Sequence, residues 1–265
     1  VRDMDAIERA IAAMPLDVPP PTVVDITSMY AVIAVMGPQS RALLQSVSTA
    51  NFSNELFPFG TSRLVDLGYA TVRATRLTYV GELGWELYVP VEFAIDVYQA
   101  LMTAGAELGV INAGYYAIDS LRIEKGYRAW GRELTPDINP YEAGLSFAVK
   151  LDGTPFRGHA ALAAIDKASI NRRIVSLVID APHTNLWGNE LILSDGEPVG
   201  FVTSAAYGHT IGKPVALGLI TRSNGAADRE WIASGEYEID LAGERYATTV
   251  SLKAPYDPDS RRIKS

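Results

Sequence analysis

The feature that most restricts the fold is a change in sequence texture at Asn171. From there to about Leu252 the chain consists of short apolar and β-branched runs at roughly regular spacing, separated by turns that contain Gly, Asp or Asn. Such spacing is typical of a small antiparallel β-barrel or β-sandwich. We therefore predict a C-terminal β-barrel domain at residues 171–255, with strands at Arg173–Ile179, Glu190–Leu193, Pro198–Ser204, Pro214–Ile220, Glu236–Leu241 and Glu244–Leu252.

The part of the chain before residue 160 mixes helix and strand signals. Apolar residues at helical spacing predict helices at Asp5–Met14, Glu92–Leu108 and Tyr116–Lys125, with a short helix near His159–Lys167. Runs rich in β-branched residues predict strands at Thr22–Ile26, Tyr30–Met36, Ser62–Leu67, Thr71–Thr78, Trp85–Val89 and Leu145–Lys150. We predict an α+β domain at residues 1–160, a domain boundary between residues 155 and 171, and the α+β fold class for the whole chain.

Composition argues against several classes of function. The formal net charge is −8, which argues against the extended positive surface that nucleic-acid or anionic-membrane binding requires. No apolar stretch approaches the roughly 20 residues of a membrane-spanning helix, and the chain has no cysteine. The three histidines, at positions 159, 183 and 209, are isolated, so no metal site is predicted. We expect a cytoplasmic protein without nucleic-acid or membrane partners.

The segment Tyr79–Glu86, with the sequence YVGELGWE, is the first candidate binding segment. A turn with two glycines between strands is expected to bring Tyr79 and Glu86 near one another at its base. A carboxylate beside an aromatic ring suits a ligand with an N–H and NH₂ pair, which it binds through two charge-assisted hydrogen bonds. The alternative is an ordinary hairpin with exposed polar residues, and pattern alone favours that alternative.

The helix at Ala117–Gly126 is the second candidate, because it carries Asp119, Arg122 and Glu124 within two turns. These charges are otherwise explained as a solvated helix face, with ion pairs worth a few tenths of a kcal/mol. Taken alone, the helix pattern favours that simpler explanation.

The third candidate is the irregular segment at residues 126–142. A loop of this length with aromatic and charged residues is more often functional than accidental. Tyr127 and Trp130 either line an aromatic pocket or cover the seam between the two domains, and the pattern does not decide between these roles.

Taken in order, these segments resemble the folate-binding aminomethyltransferase family. That family includes the T protein of the glycine cleavage system and the C-terminal halves of dimethylglycine and sarcosine dehydrogenases. The sequence EKGYRAWG at residues 124–131 resembles the dimethylglycine and sarcosine dehydrogenase branch more closely than the glycine cleavage protein. The resemblance covers most of residues 23–255, and its matching stretches are Val35–Pro38, Asn54–Gly60, Tyr79–Glu86, Asp119–Gly126, Arg128–Thr135, Glu142–Lys150 and Gly200–Ser204.

The resemblance implies a tetrahydrofolate site. In the family, the Tyr and the final Glu of a Tyr-x-Gly-Glu-x-Gly-x-Glu motif contact the pterin ring, and these correspond to Tyr79 and Glu86. The arginine of the family's Asp-x-Leu-Arg motif corresponds to Arg122, and a C-terminal arginine, Arg262 or Arg261, approaches the ligand. The family's catalytic Asp belongs to an N-terminal segment that has no match here, so no catalytic residue is assigned.

The resemblance also implies a reaction. Oxidation of an N-methyl group gives an iminium, whose one-carbon unit tetrahydrofolate captures as 5,10-methylenetetrahydrofolate. The flavin domain that performs the oxidation has no match, so FAD is expected in a longer parent or a flavoprotein partner, and the chain alone is expected to be inactive. The alternatives are a stand-alone aminomethyltransferase of glycine cleavage and, from another class, a non-catalytic folate-binding or regulatory module.

Overall fold

The computed structural model describes residues 2–181 and 183–265. In these residues the strands form two separate structures, an open sheet and a closed barrel. A four-stranded antiparallel sheet contains β1 (Tyr30–Met36), β2 (Ser62–Leu67), β3 (Ala70–Thr75) and β4 (Gly84–Pro90), in the order β1-β4-β3-β2. A closed barrel of order β10-β5-β8-β7-β6-β9 contains β5 (Arg172–Ile179), β6 (Leu191–Ser194), β7 (Glu197–Gly208), β8 (Lys213–Thr221), β9 (Tyr237–Leu241) and β10 (Glu244–Ser251). The predicted α+β class with a C-terminal antiparallel barrel is confirmed.

Helices join and cover these systems. Within the described residues they are α1 (Arg2–Ala12), α2 (Ser40–Ser46), α3 (Ala94–Gly105), α4 (Tyr115–Glu124), α5 (His159–Ala163) and α6 (Arg229–Ser234). Helices α2 and α3 pack on β4 of the sheet, whereas α4 packs on β7 and β8 of the barrel. Helix α4 therefore brings its charged residues to the barrel wall. None of the helices in this part of the chain is both long enough and apolar enough to span a bilayer.

The core of the sheet lies on one face. Trp85, Leu87 and Val89 of β4 are fully buried on that face, and the Trp85 ring meets Phe52 edge-on at a centroid distance of 5.5 Å. Because side chains alternate along a strand, Glu86 points to the opposite, open face of the sheet.

Two predicted strands are wrong. Thr22–Ile26 is an irregular segment whose side chains are exposed, and Leu145–Lys150 instead contains a 3-10 turn at Ser146–Ala148. β-branched residues favour a strand only where a neighbouring strand supplies hydrogen bonds and packing. Neither segment has a ladder partner among the described residues.

Candidate functional site

Tyr79 lies in the loop between β3 and β4 and reaches the predicted functional loop at residues 126–142. Its hydroxyl donates a hydrogen bond to the Arg128 carbonyl oxygen at 3.0 Å. Its ring stacks on that of Tyr127, with centroids 6.2 Å apart and planes 10° apart. Burial raises the pKa of the Tyr79 phenol, and the charge of Arg122 partly offsets this effect. Tyr79 is therefore a protonated, half-buried side chain with a fixed hydroxyl.

Glu86 occupies the open face of the sheet. It is half-buried and lies opposite Ala34 of β1 and Thr75 of β3. Its Oε2 accepts a hydrogen bond from the Tyr88 hydroxyl at 3.1 Å, which raises the pKa of that phenol. Among the described residues, no hydrogen bond joins Glu86 to Tyr79. Each of the two predicted ligand residues is held by a different partner, Tyr79 by the Arg128 carbonyl oxygen and Glu86 by the Tyr88 hydroxyl.

A largely apolar groove of about 550 Å³ opens between β1, α3 and α4. Val80, which follows Tyr79, and Ala34, which lies opposite Glu86, both line it. Ile118 and Leu121 of α4 line another side. The groove therefore borders the chain neighbours of both predicted ligand residues but is lined by neither of them. Leu43 and Leu101, which do line it, pack on the core face of the sheet, whereas Glu86 points to the opposite face.

Arg122 is buried rather than solvated. Its side chain is 4% exposed, and its guanidinium donates to Asp119 Oδ1 at 2.7 Å, to Ser204 Oγ at 2.9 Å and to the Tyr127 carbonyl oxygen at 3.1 Å. Glu124 is also buried, and its Oε1 accepts two backbone amide hydrogens of the β7–β8 hairpin. The explanation of this helix as a solvated face is therefore wrong for Arg122 and Glu124. Of the three charged residues considered, Asp119 alone has an exposed side chain.

Glu133 is a site residue that sequence reasoning missed. Its side chain is completely buried. Oε2 lies 3.3 Å from Arg122 Nη1 and accepts the Ala129 amide hydrogen at 2.9 Å, while Oε1 accepts the Thr203 hydroxyl at 2.6 Å. No periodic pattern surrounds Glu133 in the sequence. Its position in the unusually long loop at residues 126–142 is the one sequence signal that could have indicated a functional role.

Trp130 and Tyr127 have different roles in this loop. Trp130 is 88% exposed, so it neither lines a closed pocket nor covers the seam between sheet and barrel. Tyr127 is half-buried against Tyr79, and burial raises its pKa. Tyr127 is therefore the one of the two aromatic residues that packs against the candidate site, through its stacking on Tyr79.

The C-terminal segment packs against the Tyr79–Glu86 segment. Arg262 Nη1 lies 3.8 Å from Glu82 Oε1, and its guanidinium is 5.4 Å from the ring centroid of Tyr256. Burial and a short hydrogen bond to Glu82 raise the pKa of Tyr256 to about 12. The side chain of Arg261 is 84% exposed and faces Asp259 instead. Of the two C-terminal arginines, Arg262 is the one beside the candidate site.

Two family models match this arrangement along the chain. The GCVT N-terminal domain matches residues 1–153, and the glycine cleavage T-protein C-terminal barrel domain matches residues 172–257. The chain belongs to the glycine cleavage T-protein family. The resemblance inferred from the sequence motifs is therefore confirmed.

Relatives within this family include both dehydrogenases and transferases. The mitochondrial sarcosine dehydrogenase of Mus musculus is 44% identical over 91% of this chain and 26% of the relative. The mitochondrial dimethylglycine dehydrogenase of Homo sapiens is 36% identical over 85% of this chain and 26% of the relative. An aminomethyltransferase of Halothermothrix orenii is 36% identical over 75% of this chain and 55% of the relative. The chain thus spans about a quarter of the length of the two dehydrogenases.

A solved structure agrees with the family assignment. The glycine cleavage system aminomethyltransferase T of Bartonella henselae superposes with a TM-score of 0.70 at 27% sequence identity. The match covers 85% of this chain and 59% of the other. The sheet-and-barrel architecture of the T-protein family member described here is therefore shared with an aminomethyltransferase.

Proposed function

We propose that this chain is the tetrahydrofolate-binding, one-carbon-accepting region of a flavin-dependent sarcosine or dimethylglycine dehydrogenase or oxidase. The observation that carries the proposal is the groove bordered by the neighbours of Tyr79 and Glu86, in a chain 44% identical to a sarcosine dehydrogenase. The substrates of the whole protein are a small N-methylated amine and folate, and the one-carbon product is 5,10-methylenetetrahydrofolate.

The residues beside the groove suit a pterin ring. One Glu86 oxygen accepts the Tyr88 hydroxyl, and the other has no hydrogen-bond partner within residues 2–181 and 183–265, so it can accept from a ligand N–H at the open face. Tyr79 offers an aromatic ring, stacked on that of Tyr127, for contact with the pterin. Tetrahydrofolate, when bound, supplies the nitrogen that takes up the one-carbon unit; the chain's residues bind it, orient it and exclude water.

The two arginines have different roles in this proposal. Arg122 is almost fully buried by its partners, so we assign it to support of the Tyr127 backbone, which precedes the Arg128 carbonyl oxygen that binds Tyr79. The side chain of Arg262 is 56% exposed, so its guanidinium is accessible for contact with a carboxylate of the folate tail. No catalytic residue is assigned to this chain.

Flavin is assigned outside this chain. The sequence contains no Gly-x-Gly-x-x-Gly dinucleotide motif, and FAD is therefore proposed for a longer parent or a flavoprotein partner. The chain by itself is proposed not to turn over. A cytoplasmic location stays a prediction, since the dehydrogenase relatives named above are mitochondrial proteins.

Specific relatives favour the two alternatives. The pyruvate dehydrogenase phosphatase regulatory subunit of Mus musculus is 34% identical over 86% of this chain and 27% of the relative, which favours a regulatory module. The Halothermothrix orenii aminomethyltransferase favours a stand-alone transferase. A regulatory module needs no folate affinity, whereas both enzyme hypotheses require it.

Calorimetric titration of the folded chain with 5-formyltetrahydrofolate tests the proposal. We expect micromolar binding that Glu86→Gln weakens at least about tenfold, because one carboxylate acceptor becomes a donor facing the ligand N–H groups. Asp66→Asn is the matched control, since Asp66 is an exposed carboxylate on the same face of the sheet. A folded chain without affinity, or equal loss in both variants, would contradict the proposal.

A further inference from the structure

The short backbone stretch at residues 127–129 is held from two sides by buried side chains. Arg122 Nη1 donates to the Tyr127 carbonyl oxygen at 3.1 Å. Glu133 Oε2 accepts the Ala129 amide hydrogen at 2.9 Å. Between these two contacts lies the carbonyl group of Arg128, which accepts the Tyr79 hydroxyl at 3.0 Å. The position of the Tyr79 phenol therefore depends on how firmly this stretch is held.

The same segment is braced further by the side chain of Arg128. Its Nε donates to the Ala143 carbonyl oxygen at 2.9 Å, and its Nη2 lies over Gly144, 2.9 Å from where a Cβ of that residue would stand. The hydrogen bond to Ala143 fixes the side chain of Arg128. Glu133 holds the N–H of the same peptide group whose carbonyl oxygen accepts the Tyr79 hydroxyl, and Arg122 holds the carbonyl oxygen of the preceding peptide group.

Glu133 connects this stretch to the barrel. Its Oε1 accepts the Thr203 hydroxyl at 2.6 Å, and that hydroxyl also contacts the Leu217 carbonyl oxygen of β8. Arg122 Nη1 approaches the other carboxylate oxygen at 3.3 Å. Because the carboxylate is completely buried, its partners cannot be replaced by water, and a satisfied buried network of this kind holds one geometry.

We propose that Glu133 is a positioning residue for Tyr79. Its carboxylate fixes the backbone of residues 127–129 against the barrel, and the Arg128 carbonyl oxygen of this backbone sets the position of the Tyr79 hydroxyl. The proposal rests on the folate-binding function, in which Tyr79 contacts the pterin. Ligand groups on a cavity wall must keep their geometry closely, since small displacements weaken binding and catalysis.

Glu133→Gln is the informative variant. The amide keeps the size of the side chain but removes the charge that faces Arg122 and replaces one of the two acceptor oxygens by a donor. The Ala129 amide hydrogen and the Thr203 hydroxyl then compete for a single oxygen, which weakens the hold on residues 127–129. Glu124→Gln is the matched control. Glu124 is another buried glutamate of the same helix–barrel seam, and its Oε1 accepts the amide hydrogens of Thr210 and Ile211 rather than contacting residues 127–129.

Two measurements need no ligand. In the chain labelled with ¹³C at the tyrosine ring, with the Tyr79 signal assigned from Tyr79→Phe, we expect Glu133→Gln to displace that signal. We also expect hydrogen exchange at the Ala129 amide to become at least about tenfold faster. Glu124→Gln should leave both unchanged. A Glu133→Gln chain with the wild-type signal and wild-type exchange would overturn the proposal.

A double-mutant cycle with 5-formyltetrahydrofolate separates positioning from a general loss of stability. Glu133→Gln should raise the Kd about tenfold in the wild-type background but less than about twofold in the Tyr79→Phe background. Equal losses in both backgrounds would overturn the proposal. If the wild-type chain does not bind folate, the proposed function fails, whereas the two ligand-free measurements still decide whether Glu133 positions Tyr79.

Discussion

Replacing Gly200 with alanine is expected to lower the free energy of unfolding by about 3 kcal/mol or more. Gly200 of β7 pairs with Ile220 of β8. A Cβ at Gly200 would stand 1.9 Å from the Leu219 carbonyl oxygen and 2.9 Å from the Ile220 Cα. Backbone atoms in a ladder cannot rotate away as a side chain does, so the two strands must separate or bulge.

Gly153→Ala is the control for this substitution. Gly153 lies in an exposed bend outside the helices and strands, and an added Cβ there has no neighbour within 4 Å. Its effect should stay within about 0.5 kcal/mol. Urea unfolding followed by circular dichroism measures both variants. Equal midpoints for Gly200→Ala and the wild-type chain would show that β7 and β8 do not approach this closely.

Replacing Asp257 with asparagine is expected to cost about 3 kcal/mol of unfolding free energy. Lys125 Nζ contacts Asp257 Oδ2 at 3.0 Å, with side-chain exposures of 2% and 8%. In the variant, the buried ammonium group keeps neutral acceptors, the backbone carbonyl oxygen of residue 257 at 2.6 Å and the side-chain amide oxygen, but loses the negative charge that balances it. Asparagine tolerates the left-handed backbone of this position, where φ is 43°, so backbone strain adds little.

Asp259→Asn provides the matched control in the same segment. Its ion pairs with Lys253 and Arg261 span 3.6 and 3.5 Å, and its side chain is 53% exposed, so the loss should be about 0–1 kcal/mol. Denaturant unfolding at pH 7 compares the two variants. A loss for Asp257→Asn no larger than for the control would show that the Lys125–Asp257 pair contributes no more than a surface pair.

The effect of Asp257→Asn should also depend on pH. Burial tends to raise the Asp257 pKa, but the hydrogen bonds from Lys125 and from the Arg261 and Arg262 amides lower it below the ordinary value of 3.8. A lowered pKa in the folded state gives stability that is present above the ordinary value and is lost as the pH falls through the folded value. The gap between wild type and variant should therefore narrow below about pH 4. A gap that widens there would contradict this assignment.

Local patterns predicted much of the fold because the spacing of apolar residues that identifies a strand or a helix is contained in the sequence of that element alone. Tyr30–Met36 and Ser62–Leu67 were predicted with the observed bounds, and Gly126 ends α4 in the left-handed conformation, with φ of 68°. Thr22–Ile26 has the composition of a strand but lacks a partner in the described chain. Pairing is a tertiary property, and composition alone could not supply it.

The candidate site was only partly predictable for the same reason. Tyr79 and Glu86 follow from a contiguous motif. The burial of Arg122 and Glu133 depends on contacts with β7, which lies 70 residues beyond Glu133 in the sequence. Helical spacing cannot distinguish an arginine that faces water from one that faces a barrel wall. Long-range hydrogen bonds of this kind, such as those to Thr203 and Ser204, become visible only in the folded structure.

The most direct test of folate binding at this groove is ¹³C NMR of the tyrosine-labelled chain during titration with 5-formyltetrahydrofolate. We expect the Tyr79 signal to shift and saturate, while that of Tyr237, which lies in the barrel core, stays in place. A folded chain in which saturating ligand leaves Tyr79 unchanged, or shifts only barrel tyrosines, would contradict the assignment of the folate site to the region of Tyr79 and Glu86.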